Sequence, residues 1–392
     1  MKIKGALLAL ALALMLTLGV VYPAAAEPME AEPPITITSP SVILTEASTG
    51  RVIFEKNADE RRPVASVTKV MTILLTLEAL DEGRIDASDS VLVSEHAASM
   101  GGSQAFLDAN RSYTVGELLS SVIIASANDS AVALAEHLCG AEEAFVRRMN
   151  ERAQELGLTN THYVNCTGLP AEGHYTTARD VAALSAHLDE HPRYYTYSTV
   201  WMKDFKHQGG RVTGLTNTNR LIRFYPGCDG YKTGSTNEAR YCISATAKKN
   251  GMRLIAVVLG SSASQTRFDE ARAMLEYGFA NYTLLTPVQA GDSMGMAVPV
   301  RLGSRSEVSV ISGGGVSLLL RRGEEGKTSL EVALVESVHA PVQRGDVLGE
   351  VRVRQAGEVV ATLPAVAGED VPLPGFVGSL LRIRDRFMLI AE

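Results

Sequence analysis

The apolar positions of the chain fall into helix-like and strand-like runs. Ser41-Val42-Ile43-Leu44-Thr45-Glu46-Ala47 and Arg51-Val52-Ile53-Phe54-Glu55 flank Ser48-Thr49-Gly50, which predicts a hairpin. The run Val70 to Leu75, continued by Leu77 and Leu80, predicts a buried helix that starts near Ser66 and stops at Gly83. Thr114-Val115-Gly116-Glu117 has capping-box form and opens an apolar helix, Leu118 to Ala125. Ser126-Ala127-Asn128-Asp129 interrupts the apolar pattern before a second helix, Ala131 to Leu138. A third helix is predicted from Glu142 to Leu156, and another from the Thr177-Ala178-Arg179-Asp180 box to about His191. Tyr194 to Arg223 reads as strands and loops. Ala239 to Lys248 and Met252 to Gly260 are strand patterns joined at Asn250-Gly251, a strong hairpin signal. A helix from about Gln265 to Phe279 closes this region.

The pattern then changes. From Leu285 to Leu373, short Val/Leu runs alternate with Gly-rich turns and no helix period appears, which predicts a separate all-β domain. In residues 374–392, Phe376, Leu380, Leu381, Ile383 and Phe387 interleave with Arg382, Arg384 and Arg386. Such a basic amphipathic tail can lie in a membrane interface or pack on the β domain. At the other end, Lys2 and Lys4, the apolar stretch Gly5 to Val21 and Ala24-Ala25-Ala26 form a secretory signal over residues 1–26. An uncleaved anchor is the alternative. Residues 27–35 are Pro- and Glu-rich and read as a linker.

With 392 residues, 46% of them hydrophobic, the chain can bury a large core over two or three domains. Its 44 acidic and 37 basic residues give a net charge of -7, which argues against nucleic-acid binding. Four scattered cysteines are too few for a disulfide framework; Cys139, at a helix end, and Cys242, in a strand, read as core.

Three polar strings carry candidate chemistry. Ser66 and Lys69 are three apart on one helix, so they share a face. A lysine partly removed from water loses proton affinity and can act as a base toward a serine. Taken alone, Ser66 reads as an N-cap, because S-x-x-K is a very common string. Ser126 and Asn128 lie between two buried helices, where polar groups need partners. Lys232-Thr233-Gly234 lies on a strand-like segment. The order and contexts match the S-x-x-K, S-D-N and K-T-G set of penicillin-recognising serine acyltransferases.

On these residues, and on Asn160 to Asn165, Tyr175 to Asp180 and Met252 to Val258, the chain resembles the low-molecular-weight penicillin-binding D-alanyl-D-alanine carboxypeptidases. The resemblance covers Ser41 to Phe279. It implies an α+β, β-lactamase/transpeptidase-like domain, an antiparallel sheet flanked by helices with a helical subdomain, over residues 36–284. A small all-β domain over 285–373 and a membrane-associating tail over 374–392 also fit this family. The resemblance further implies Ser66 as nucleophile, Lys69 as base, Ser126 as proton relay and Lys232 as a second cation. Asn128 would orient Lys69 and the substrate amide. Thr233 and Gly234 would align substrate as an added strand, with Gly234 allowing close approach of the ligand. Ser66 and Ser235 N–H groups would form the oxyanion hole. Arg267, helped by the Thr233 hydroxyl, would bind the substrate carboxylate; the alternative, on charge pattern, is a solvated helix-start arginine. The implied substrate is a peptidoglycan stem peptide ending in D-Ala-D-Ala, with β-lactams as covalent ligands, no cofactor and no metal.

Three positions depart from the family pattern: Ala127, Ser235 and Cys166, the last where proline is common. A β-lactamase shares the three strings, but no Glu-x-x-Leu-Asn follows Asn128 before Lys232. A non-catalytic penicillin sensor is the other reading within this group. His187-Leu188-Asp189-Glu190-His191 has the H-x-x-E-H form of a zinc peptidase, but Pro192 makes it a helix end.

Overall fold

The computed structural model describes residues 35–375; the secretory signal and the apolar and arginine positions of the tail lie outside them. Five antiparallel strands form the central sheet: β1 (Ser41–Glu46), β2 (Val52–Lys56), β3 (Cys228–Thr236), β4 (Arg240–Lys249) and β5 (Met252–Ser261). Their order is β2-β1-β5-β4-β3, so β3 is an edge strand. Asn250 and Gly251, both at positive φ (50° and 82°), turn β4 into β5 as a two-residue hairpin requires.

Strand side chains alternate between faces, and the two faces of this sheet have different cores. Leu254, Ala256 and Val258 pack with Phe268, Met274 and Leu275 of the helix Ser264–Asn281. Ile255, Val257 and Leu259 face the helical subdomain. Burial on both faces explains why β5 reads as an unbroken apolar run.

The subdomain is built from α1 (Lys69–Asp81), α2 (Val115–Ala125), α3 (Asn128–Cys139) and α4 (Glu142–Glu155). Eleven of the thirteen α1 residues are buried, so it is a core helix rather than an amphipathic one. Its threonines are satisfied inside: Thr72 Oγ1 donates to Cys166 O at 2.7 Å and Thr76 Oγ1 to Thr72 O at 2.8 Å. The capping box at Thr114 and Glu117 forms. The second helix begins three residues earlier than the apolar pattern implies, at Asn128, because Ala127 supplies its first carbonyl to Ala131.

Helix α5 (Ala178–His187) follows, and α6 is the Ser264–Asn281 helix. At α5 only half of the expected capping box exists. Thr177 Oγ1 accepts from Asp180 N, while the Asp180 carboxylate accepts from Asn160 N and Thr161 Oγ1. The helix ends at His187 and passes into a 3-10 turn, Leu188–Glu190. His187 pairs with Glu190 and His191 with Asp81, each imidazole on its own carboxylate. Tyr194 to Arg223 is not wholly strand and loop. It contains the helix Arg193–Ser198, seated by Tyr194 in the core, then the hairpin Met202–Lys206 with Val212–Thr216 and a helical turn Leu221–Phe224. Cys139 is only half-buried, unlike Cys242, and all four cysteines are free thiols.

Beyond α6 the chain is β-rich. β6 (Tyr282–Val288) pairs with β9 (Val316–Arg321), whose Leu319 enters the core beneath α6. β7 (Ser293–Arg301), β8 (Glu307–Ser312), β10 (Thr328–Leu334), β11 (Val338–His339), β12 (Val347–Gln355) and β13 (Glu358–Ala367) form a six-stranded sheet. Its order is β10-β12-β13-β8-β7-β11, over a core that includes Val298, Val308, Val310 and Val351. Among the described residues no helix is long and apolar enough to cross a membrane.

Candidate active site

The Ser66 turn is a 3-10 segment, Ala65–Thr68, running straight into α1 at Lys69. Tightening the turn puts Ser66 and Lys69 on one side, and Lys69 Nζ lies 2.8 Å from Ser66 Oγ. Ser66 is half-buried and makes no capping bond, so the N-cap reading fails. Ala65 holds φ at +49°, a left-handed conformation that costs a side-chain-bearing residue about 1 kcal/mol or more. Neighbours on two sides hold it there. A Cβ on Gly168 would lie 1.9 Å from Ala65 O, and one on Gly234 would lie 2.5 Å from Val64 O and 2.8 Å from Ser66 N. The bare flank of Gly234 therefore makes room for the protein's own catalytic turn, not for a ligand.

Lys69 is completely buried and donates a second hydrogen bond to Thr167 O at 2.7 Å. Burial pushes its pKa down to about 7, against the opposing pull of Cys166 and then Asp129. Lys232, on β3, is also buried and donates to Thr233 O. Burial first, then the positive charges of Lys69 and Arg267, push it well below the usual lysine range. Two ammonium groups in one dry site disfavour each other, so the pair does not hold both protons easily.

Arg267 is not a solvated helix-start arginine. It is buried on α6, and Nη1 donates to Gly234 O at 2.9 Å and Cys242 O at 3.2 Å. Burial lowers its pKa to about 10. Its buried Nε has no partner. Nη1 is thus taken up by backbone carbonyls of β3 and β4. Ser235, next on β3, is exposed.

Ser126 ends α2 in a left-handed cap, φ +65°, and its buried Oγ has no partner. Asn128 opens α3, and both helices pack on α1. Asn128 Nδ2 donates to Gly101 O at 2.7 Å, so Asn128 does not orient Lys69; the carbonyl of Thr167 does. The buried Asn128 Oδ1 is unpartnered. Two polar atoms without protein partners at the α2–α3 junction leave hydrogen-bonding capacity for a substrate.

Several residues that hold this geometry were not visible as site residues in the sequence. Asp129 accepts from Ala105 N and Leu107 N, both at 3.0 Å, and so pins the loop between them. Thr167 and Gly168 follow a stretch with no catalytic pattern. His174 Nε2 lies 2.8 Å from Thr68 Oγ1. A cleft of about 490 Å³ opens beside the turn, lined by Ala65, Leu169, His174, Thr236 and Glu238 among others. Among the described residues no three His, Cys, Asp or Glu side chains form a group that could hold a metal.

A serine–lysine pair at the head of a core helix, beside a lysine-bearing edge strand, defines a serine acyl-transfer hydrolase of the penicillin-recognising type. The sequence pattern of one family, described as D-alanyl-D-alanine carboxypeptidase, matches residues 27–263. That of the C-terminal domain of penicillin-binding protein 5 matches residues 282–373. The chain belongs to the D-alanyl-D-alanine carboxypeptidase family of serine peptidases. It is 42% identical over 343 residues to D-alanyl-D-alanine carboxypeptidase DacF of Bacillus subtilis, covering 87% of this chain and 88% of that one. To DacC of Escherichia coli it is 35% identical, with 88% of each chain covered. A crystal structure of penicillin binding protein 5 from Haemophilus influenzae superposes with a TM-score of 0.75 at 31% identity, covering 87% of this chain and all of that one.

Proposed function

We propose that this protein removes the terminal D-alanine from peptidoglycan stem peptides through an acyl-enzyme on Ser66, and that β-lactams acylate the same serine. The observation that carries this reading is the Lys69 Nζ to Ser66 Oγ contact of 2.8 Å, with Thr167 O fixing the amine from behind. With its pKa near 7, Lys69 exists partly as the free amine at neutral pH, and its lone pair then faces the Ser66 hydroxyl. Lys69 takes the Ser66 proton as Oγ attacks the carbonyl between the two D-alanines. The oxyanion is met by the Ser66 and Ser235 N–H groups. Lys69 then returns that proton through the Ser126 hydroxyl to the leaving amine as the C–N bond breaks. Water then attacks the acyl group and gives a proton to Lys69, which passes it to Ser66 Oγ as the acyl C–O bond breaks.

Lys232 brings a second amine to the site; while Lys69 is the free amine, the proton that the pair keeps sits on Lys232, beside the serines. The Thr233–Ser235 edge of β3 takes the substrate backbone as an added strand. Arg267 acts from behind that strand: it fixes Gly234 through its carbonyl and adds positive charge for the terminal carboxylate. Residues 1–26 direct export, so the enzyme works outside the cytoplasmic membrane. The tail, residues 374–392, holds it to the membrane surface. Supporting the last two readings are the basic–apolar–A-x-A order at the N-terminus and the interleaved arginines of the tail.

Intact-mass spectrometry tests the core of the proposal. Penicillin should add one penicilloyl mass to the wild type and none to Ser66→Ala, and the wild type should release D-alanine from a peptide ending in Lys-D-Ala-D-Ala. An adduct without D-alanine release would favour a sensor. Rapid adduct loss with penicillin turnover would favour a β-lactamase. Sedimentation with anionic vesicles, with and without residues 374–392, tests the tail.

A further inference from the structure

His174 is buried 106 positions from Thr68 in sequence and touches it in space, with Nε2 2.8 Å from Thr68 Oγ1. Its other nitrogen, Nδ1, accepts from Val164 N at 3.2 Å. A ring nitrogen that accepts a backbone N–H cannot carry a proton, so the neutral ring holds its hydrogen on Nε2 and donates it to Thr68. Thr68 is the residue between Ser66-Val67 and Lys69. Val164 begins the loop whose Thr167 carbonyl accepts from Lys69 Nζ. Gly168, next in that loop, packs against Ala65 O and Thr68 Oγ1 so closely that no Cβ fits. One imidazole therefore joins the two backbone segments that fix the lysine: its own turn and the carbonyl behind it.

We propose that His174 is a positioning residue for acyl transfer, keeping the Ser66–Lys69 turn and the Thr167 carbonyl in register so that Lys69 stays dry and aimed at Ser66. A packing role would need only the ring's volume. Here both nitrogens are used, in directions that a hydrocarbon of the same size cannot copy. The ring is edge-on to Tyr163, and His162 is the charge-bearing group that bears on it. Around Lys69 the groups that bear on its proton are Cys166 and Asp129, and Lys69 in turn bears on Lys232. The burial-lowered pKa of His174, about 4, keeps the ring neutral over the working range.

The proposal rests on Ser66 as the nucleophile, and its test reads penicilloyl-adduct formation rate against pH in the full-length protein. His174→Leu keeps the bulk and loses both hydrogen bonds. It should slow acylation about tenfold or more and move the acid limb of the profile about one unit upward, as water reaches Lys69. His174→Gln can still accept at Oε1 and donate at Nε2, and should stay within about threefold of wild type with the limb unmoved. If His174→Leu does not fold, Thr68→Val breaks the same bond from its other end and should show the same slowing and limb shift. Wild-type rate and limb in the Leu or Val variant would overturn the positioning role. So would equal slowing in Leu and Gln with the limb in place. A wild type that forms no adduct would overturn this role and the proposed function together.

Discussion

Gly234 presses its hydrogen against the backbone of Ser66: a Cβ there would lie 2.8 Å from Ser66 N and 2.9 Å from Val67 N. The edge strand and the nucleophile turn are thus in backbone contact, and the two N–H groups proposed for the oxyanion hole come from the two sides of that contact. Gly234→Ala should push them apart. The clash is with backbone, which cannot step aside as a flexible side chain would. Acylation by penicillin should fall about 100-fold, and stability should drop by about 1–3 kcal/mol. Stopped-flow acylation and a urea melt check both.

Lys69 is held for chemistry at the expense of stability. Its pKa is about 7 in the folded protein and ~10.4 in an unfolded chain. Below pH 7 the buried charge weighs fully against folding. As pH rises from 7 to about 10 the unfolded chain binds the extra proton, so this destabilisation fades. Lys69→Met should abolish acylation and raise stability by about 1–3 kcal/mol at pH 7. That gain should shrink as pH approaches 10. Thermal melts of both proteins at pH 7, 8.5 and 10 give the difference directly, and a gain that grew with pH would reverse the sign argued here.

Asp129 places the loop over the α2–α3 junction. Its carboxylate accepts from Ala105 N, Leu107 N and Ser130 N, and between the first two Phe106 sits exposed at φ +62°. Asp129→Asn turns one acceptor oxygen into a donor facing an N–H. It should cost about 2–3 kcal/mol and free the loop. Since Gly101 O holds Asn128 in the same loop, KM for the D-Ala-D-Ala peptide should rise more than kcat falls. Steady-state kinetics would separate the two.

Arg267 gives a contrasting case. Arg267→Leu removes the donors to Gly234 O and Cys242 O and a charge that helps depress Lys232. Peptide turnover should fall about 100-fold or more, because both the strand position and the carboxylate attraction go. A β-lactam ester, lacking the carboxylate, should lose much less against wild type than the free acid does. Equal losses on ester and acid would leave the arginine a purely structural support for β3.

The sequence by itself determined which residues lie inside and which local turns form. The spacing of Ser66 and Lys69, the capping box at Thr114, the Asn250-Gly251 hairpin and the all-buried run of β5 are local facts, set by helix pitch, strand alternation and turn stereochemistry. Family resemblance supplied the order of the three polar strings. Tertiary structure decided what those residues meet. Periodicity reports that Lys69 and Arg267 sit on helices, but not that a carbonyl 98 positions away holds one, or that the other reaches under an edge strand. The short helix at Arg193–Ser198 formed against its polar sequence because Tyr194 found a place in the core. Gly168, His174 and Asp129 look ordinary in the chain. Their roles arise when distant backbone segments close to contact distance, where one added carbon or one lost hydrogen bond cannot be absorbed.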